Sequence, residues 1–88
     1  MTVEFDPAKN GINRDKHGID LSLAAEFEFE TALEKVDDRR EYGEIRYQAM
    51  GYIAGRLHLM VYTMRGDVVR VISLRKANQR EIEEYEAS

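Results

Sequence analysis

The alternation of apolar and polar residues in the second half of the chain constrains its fold most strongly. The segments "EIRYQAMGYIAG" (44–55) and "RLHLMVYTM" (56–64) place apolar side chains at nearly every second position, which is the period of a β-strand. A third segment, "VVRVISL" (68–74), follows Gly66 and Asp67, a Gly-X pair that suits a two-residue hairpin turn. The pattern therefore predicts three consecutive antiparallel strands.

The predicted hairpin turn also fixes which residues pair across the second and third of these strands. With two residues in the turn, Thr63 pairs with Arg70, and His58 pairs with Arg75 on the opposite side of the sheet. A slip of one residue would exchange the two faces. The predicted register therefore holds only if the two strands pair without such a slip.

Helices are predicted at the N-terminal end of the chain. Asp6 as an N-cap and Pro7 at the first helical position begin a helix that runs to about Lys16, and Gly18 should end it. Asp20 is a second N-cap, and the helix that follows it should fade near Glu30.

The remaining segments complete an α+β fold. "TALEKVDD" (31–38) alternates weakly and is interpreted as a short strand, and Asn78 caps a helix in "NQREIEEYEAS" (78–88). We therefore expect two N-terminal helices, a four-stranded mostly antiparallel sheet and a C-terminal helix in a single domain over residues 1–88. The helices should pack on one face of the sheet, and the other face can remain in contact with water.

Charge is distributed unevenly along the chain. Residues 1–38 hold four Lys/Arg and ten Asp/Glu, residues 39–76 hold eight and three, and residues 77–88 hold one and four, giving −6, +5 and −3 and a sum of −4. A bound anion responds mainly to charge within a Debye length of about 8 Å, so a basic face on an acidic protein is workable. Alternatively, these arginines pair with the acidic flanks in a solvated surface network.

The cysteine and histidine content limits the kinds of site that the chain can form. The sequence has no cysteine and two histidines, which argues against a disulfide, a thiolate nucleophile and an ordinary zinc site. No apolar run approaches the roughly 20 residues that span a bilayer, and the N-terminus lacks the pattern of a signal peptide. We expect a cytoplasmic protein that does not bind membranes and uses neither a metal nor a cofactor.

Several short motifs occur together in a characteristic order. They are "FDPAKN", "KHGI", "YGEIRY", "YTMRGD", "RVISLRKA" and a closing "E-x-x-E-Y", and they run from Phe5 to Tyr85. In order and spacing they resemble the BrnT family of bacterial type II toxins. The sequence departs from the family pattern at Phe5, where tryptophan is more common, and at Leu74, often alanine, and both changes should affect packing more than chemistry.

The resemblance implies a fold, an activity and a partner. It implies a RelE-like ribonuclease that cleaves RNA and so inhibits translation and growth. It also implies a cognate antitoxin with a DNA-binding module, BrnA-like and of the ribbon-helix-helix type, in a toxin-antitoxin hetero-oligomer. Such a toxin contacts operator DNA only through its antitoxin.

Metal-independent RNA cleavage by the ribose 2′-hydroxyl requires three kinds of group. A base takes the hydroxyl proton, cations stabilise the phosphorane, and an acid protonates the leaving 5′-oxygen. A histidine titrates near neutrality, and an arginine can bind phosphate with two parallel hydrogen bonds. The predicted catalytic residues are Lys16, His17, Glu44, Arg65 and Arg75. Alternatively, His17 merely caps the last carbonyls of the first helix.

A second set of residues is predicted to bind RNA without taking part in proton transfer. Their side chains offer further cations, hydroxyl groups that orient the substrate, and an aromatic ring next to the site. The set comprises Arg46, Thr63, Arg70, Ser73 and Tyr85. For the tyrosine, a plain core role is the favoured alternative, because it lies at helical spacing from Ile82.

The ribonuclease hypothesis requires several guanidinium groups to lie close together. Arg65, Arg70 and Arg75 are expected to meet at one concave, solvent-reachable spot, whereas the alternative pairs them with nearby carboxylates. Two other functions stay open at this point. The chain is either a non-catalytic RNA- or protein-binding module, such as a degenerate toxin retained for partner contact, or a structural adaptor with a surface ion network.

Overall fold

Five strands form one mixed sheet in the computed structural model, which describes residues 2–88. The strands are β1 (Val3–Phe5), β2 (Leu33–Val36), β3 (Tyr47–Ile53), β4 (Arg56–Arg65) and β5 (Val68–Lys76). Their order across the sheet is β1-β5-β4-β3-β2, with β1 parallel to β5 and every other pair antiparallel. The predicted α+β class is confirmed, but the prediction of four strands is wrong by one.

The additional strand is β1, which the sequence pattern did not assign. It pairs with β5 from Val3 opposite Val69 to Phe5 opposite Val71. Three residues are too few for alternation to identify a strand. This strand therefore depends on a partner more than sixty residues away in the sequence.

Two α-helices agree with the predicted positions. The helix α1 (Pro7–His17) begins after Asp6, whose side chain accepts a hydrogen bond of 2.9 Å from the Ala8 N–H. It ends at Gly18, whose φ of 69° lies in the left-handed region that favours glycine. At the other end of the chain, α2 (Gln79–Glu86) follows its Asn78 cap.

The predicted second α-helix is instead two short 3₁₀ helices, at Leu21–Glu26 and Phe29–Thr31. The chain becomes extended at Phe27 between them. The Phe27 ring lies directly against the backbone of Gly51 on β3, where even a Cβ atom would be only 2.5 Å from the ring. A continuous helix would carry this ring away from the sheet, so tertiary packing overrides the helical pattern.

A bulge in β5 changes the predicted register. The pairing of Thr63 with Arg70 is confirmed. His58, however, pairs with Lys76 rather than with the preceding arginine, because β5 has an irregularity opposite the Val61/Tyr62 step and Ile72 is the extra residue.

The main core lies on one face of the sheet. The largest fully buried side chains there are Leu21, Met60, Leu74, Val69 and Val71. On the opposite face, α2 packs its Ile82 and Tyr85 against a smaller cluster around Met50 and Leu57. The expectation that the helices pack on one face is therefore wrong, because α2 covers one end of the second face. Neither α1 nor α2, nor any other helix within residues 2–88, has the length and apolar character of a membrane-spanning segment.

Candidate functional site

A cleft of about 410 Å³ lies between α1 and the second face of the sheet, beside β4 and β5. Its lining consists of Lys9, Ile12, Asn13, Lys16, His17, Arg39, Leu59, Val61, Ile72, Ser73 and Arg75. The floor is apolar and the walls are basic. Among residues 2–88, no Asp or Glu lines it. Its volume lies within the range of ligand sites, and its charge suits an anion.

Asn13 fixes α1 against the edge of β5. Its side-chain amide donates to the Leu74 carbonyl at 2.8 Å and accepts from the Leu74 N–H at 3.0 Å. The same amide donates to the Ile19 carbonyl at 2.9 Å. Because β1 ends opposite Val71, this buried amide replaces the missing ladder partner of β5. Asn13 thereby places the last turn of α1 beside the sheet. This role was not predicted, because an asparagine within a helix usually faces solvent.

His17 lies on that last turn of α1. In the described residues its imidazole makes no hydrogen bond; the Gly18 N–H instead bonds to the Arg14 carbonyl at 2.8 Å. The alternative that His17 caps the helix is therefore not what the structure shows. Partial burial, and then the positive charges of Arg75 and Lys16, lower the His17 pKa below its ordinary value of 6.5. The ring is thus mainly neutral at pH 7 and can accept a proton.

Arg75 enters the cleft from β5 while Glu81 of α2 holds its guanidinium. The two groups form two hydrogen bonds of 2.8 Å each. This pairing raises the pKa of Arg75, while burial and the positive charge of Arg39 act in the opposite direction. The guanidinium is therefore a fixed cation with a defined orientation.

Arg39 and Lys9 are two basic residues of the cleft that the sequence interpretation missed. Arg39 belongs to the loop between β2 and β3, and its guanidinium binds the carboxylate of Asp37. Nothing in the sequence periodicity identifies a loop arginine as part of a site on α1 and β5. The acidic neighbour two positions earlier is the only local signal.

The three arginines expected to converge do not do so. Arg75 lines the cleft, together with the predicted Ser73, but Arg70 forms an ion pair of 3.5 Å with Glu4 on β1. Arg65 is exposed at the end of β4. Arg70 and Arg75 lie five positions apart on β5, a distance of roughly 15 Å along the strand, and each guanidinium is held by a different carboxylate. The predicted convergence is wrong.

Glu44 and Arg46 lie together outside the cleft. Their side chains form a hydrogen bond of 3.0 Å, and the Arg46 guanidinium lies 4.1 Å from the centre of the Tyr42 ring. Both precede β3, which begins at Tyr47, so they stand in the loop and not on the strand as predicted. Arg46 therefore pairs with a nearby carboxylate, which was the alternative to RNA binding for the arginines.

The hydroxyl groups of Thr63 and Tyr85 are engaged by backbone carbonyls. Buried Thr63 donates to Ile45 at 2.7 Å, and Tyr85 donates to Thr31 at 2.7 Å. The ring of Tyr85 packs edge-on against Tyr52, with 5.5 Å between the ring centres. Neither residue lines the cleft, and both contacts agree with structural roles.

The fold and the cleft define a small α+β protein with a site suited to a phosphate-containing ligand, because guanidinium, ammonium and imidazole groups converge there. A family model described as "Ribonuclease toxin, BrnT, of type II toxin-antitoxin system" matches residues 5–81. The chain belongs to this family, and the resemblance seen in the sequence is confirmed. No curated protein matches the chain. Membership implies a ribonuclease toxin with a cognate antitoxin.

Proposed function

We propose that this protein is an endoribonuclease toxin that cuts RNA in the cleft between α1 and β5 and so inhibits translation and growth in the cytoplasm. One observation carries the proposal. In a chain of a ribonuclease toxin family, Lys16, neutral His17 and fixed Arg75 line the same cleft, with no carboxylate in its lining among the described residues.

The proposed reaction is attack of the ribose 2′-oxygen on the adjacent phosphorus. The 2′-hydroxyl proton passes to the imidazole of His17 as the new P–O bond forms. The bond from phosphorus to the 5′-oxygen breaks, and that oxygen takes a proton from the Lys16 ammonium. Arg75 stabilises the negative charge of the phosphorane. The products carry a 2′,3′-cyclic phosphate and a 5′-hydroxyl.

The donor set of the cleft supports a metal-independent mechanism. Mg²⁺ and Ca²⁺ require oxygen ligands, chiefly carboxylates and carbonyls. This cleft instead offers two ammonium groups, two guanidiniums and one imidazole. Such groups bind the phosphate directly and supply the charge that a metal ion would otherwise provide.

Arg65 and Arg70 are proposed to contact the RNA on one side of the cut bond, towards the hairpin turn, rather than at the bond itself. The alternation of β4 and β5 places both on the same side of the sheet as Arg75. A strand of RNA that enters the cleft can therefore continue along the hairpin. Glu44 and Arg46 stay candidate residues for RNA contact outside the cleft.

The proposal is tested with purified protein separated from its antitoxin. We expect cleavage of single-stranded RNA in EDTA, and no cleavage at a mapped site after its nucleotide is replaced by the 2′-deoxy form. Arg75→Ala should abolish cleavage while circular dichroism shows an unchanged fold. Products with a 5′-phosphate, or activity only with added metal, would overturn the mechanism; binding without cleavage would indicate a degenerate toxin.

The antitoxin is proposed to carry a ribbon-helix-helix DNA-binding module and to cover the cleft. The apolar floor and basic walls call for a segment with hydrophobic anchors and carboxylates. Operator DNA would then be bound through the antitoxin alone. A neighbouring reading frame for a short ribbon-helix-helix protein would support this partner.

A further inference from the structure

Arg39 is held more firmly than an exposed loop arginine normally is. Its Nε donates to Asp37 Oδ1 at 2.7 Å, and its Nη2 donates to Asp37 Oδ2 at 2.8 Å. The Asp37 side chain is completely buried, whereas the Arg39 side chain is 63% exposed. The buried carboxylate therefore fixes the direction of a solvent-facing guanidinium.

The rest of the loop holds the carboxylate in turn. Asp37 accepts a hydrogen bond of 3.1 Å from the Tyr42 hydroxyl, and its backbone N–H donates to the Arg46 carbonyl at 2.8 Å. Thr63 of β4 secures the same loop through the Ile45 carbonyl. These hydrogen bonds fix the loop that carries Arg39 against the sheet.

The guanidinium of Arg39 keeps donors for a ligand. A guanidinium has five N–H groups, and the pairing with Asp37 uses one on Nε and one on Nη2. Three remain. Arg39 lines the same cleft as Arg75, which carries its own carboxylate partner. Two cations that face one cleft repel each other, and an anion between them removes that repulsion.

We propose that Arg39 is a second phosphate-binding guanidinium of the cleft and that Asp37 is the positioning residue that fixes it. The inference rests on the proposed function, because the phosphate belongs to the RNA backbone. Arg39 and Arg75 then bind the RNA from two different elements that line the cleft, the first from the β2–β3 loop and the second from β5.

The test measures binding of a single-stranded 2′-O-methyl oligoribonucleotide, which cannot react, over a range of salt concentrations. Each phosphate contact contributes about 0.7 to the slope of log affinity against log salt concentration for single strands. We expect Arg39→Gln to weaken binding about tenfold and to reduce this slope by about 0.7. Arg40→Gln is the matched control, since Arg40 is exposed in the same loop and does not line the cleft.

A paired substitution separates phosphate binding from loop stability. Asp37→Asn combined with Arg39→Gln leaves no unpaired buried charge, so a merely structural role predicts binding like that of the unchanged protein. Phosphate binding instead predicts the reduced slope in this variant as well. Arg39→Lys should recover most of the slope while affinity stays reduced, because lysine keeps the charge but lacks the bidentate geometry.

The two proposals fail in different ways. If the unchanged protein neither binds nor cleaves RNA, the proposed function is wrong. If the unchanged protein binds and cleaves, but Arg39→Gln and Arg40→Gln have the same slope and affinity, the assignment of Arg39 alone is overturned.

Discussion

The Arg75 guanidinium and the Glu81 carboxylate form two parallel hydrogen bonds, which connect β5 to the first turn of α2. Glu81 also accepts a hydrogen bond from the Asn78 N–H, so the same carboxylate caps α2 and orients a cleft residue. The C-terminal helix is therefore coupled to the candidate site although no residue of α2 lines the cleft among the described residues.

Replacing Glu81 tests this coupling. Glu81→Gln keeps the side-chain length and a glutamine can serve in a capping box, but it removes the charge that holds Arg75. We expect the single-turnover cleavage rate to fall about 10- to 100-fold, because small displacements of a positioned group have effects of this size. Glu83→Gln on the same helix is the control. Equal rates for the two variants would show that Glu81 does not position Arg75.

The elements that depend on local signals could be predicted from the sequence. Asp6 and Gly18 bound α1, Asn78 caps α2, and the turn at Gly66 sets the β4–β5 hairpin. The bulge at Ile72 could not be predicted, since a single extra residue leaves the alternation nearly intact. The pairing of β1 with β5 also escaped prediction, because it is a long-range contact of only three residues.

The candidate site was predictable where its residues carry a motif. Lys16, His17, Ser73 and Arg75 were all selected from the sequence and all line the cleft. Arg39 was not, because a loop has no period from which its direction can be derived. The predicted grouping of Arg65 and Arg70 with Arg75 failed because alternation indicates which face of the sheet a side chain occupies but not how far apart residues on that face lie. Arg70 pairs with Glu4, whereas Glu81 holds Arg75.

Asn13 should be essential for stability. Asn13→Ala removes three hydrogen bonds and leaves the backbone groups of Leu74 buried without a partner. We expect a loss of about 3 kcal/mol in the free energy of unfolding, measured by urea denaturation. Arg14→Ala, an exposed site on the same helix, should change it by less than about 0.5 kcal/mol. Equal stability of the two variants would contradict the assigned role of Asn13.

The protonation of His17 gives a pH prediction. Its pKa lies below the ordinary value of 6.5, so activity should fall as the pH drops through this pKa and the base becomes protonated. In an NMR titration, Arg75→Gln should move the His17 pKa upward because one repelling charge is lost. Burial remains, so the shift is partial. An unchanged or lower pKa would show that Arg75 does not act on His17.

Association with the antitoxin should depend on salt. If acidic groups of the antitoxin meet Lys9, Lys16, Arg39 and Arg75, raising the ionic strength must slow association by screening their attraction. Stopped-flow measurements with the two purified proteins check this, with the Arg40→Gln toxin as a control that keeps the cleft charge. An association rate that is independent of salt would contradict electrostatic covering of the cleft.

Mapping where RNA binds tests the proposed site most sharply. A 2′-O-methyl oligoribonucleotide is titrated into the ¹⁵N-labelled toxin, and chemical-shift changes are followed residue by residue. We expect the largest changes around Lys16, His17, Arg39, Ser73 and Arg75, with smaller ones toward Arg70. Changes centred on Arg46 and Tyr42, with the cleft unaffected, would contradict the claim that this cleft holds the phosphodiester.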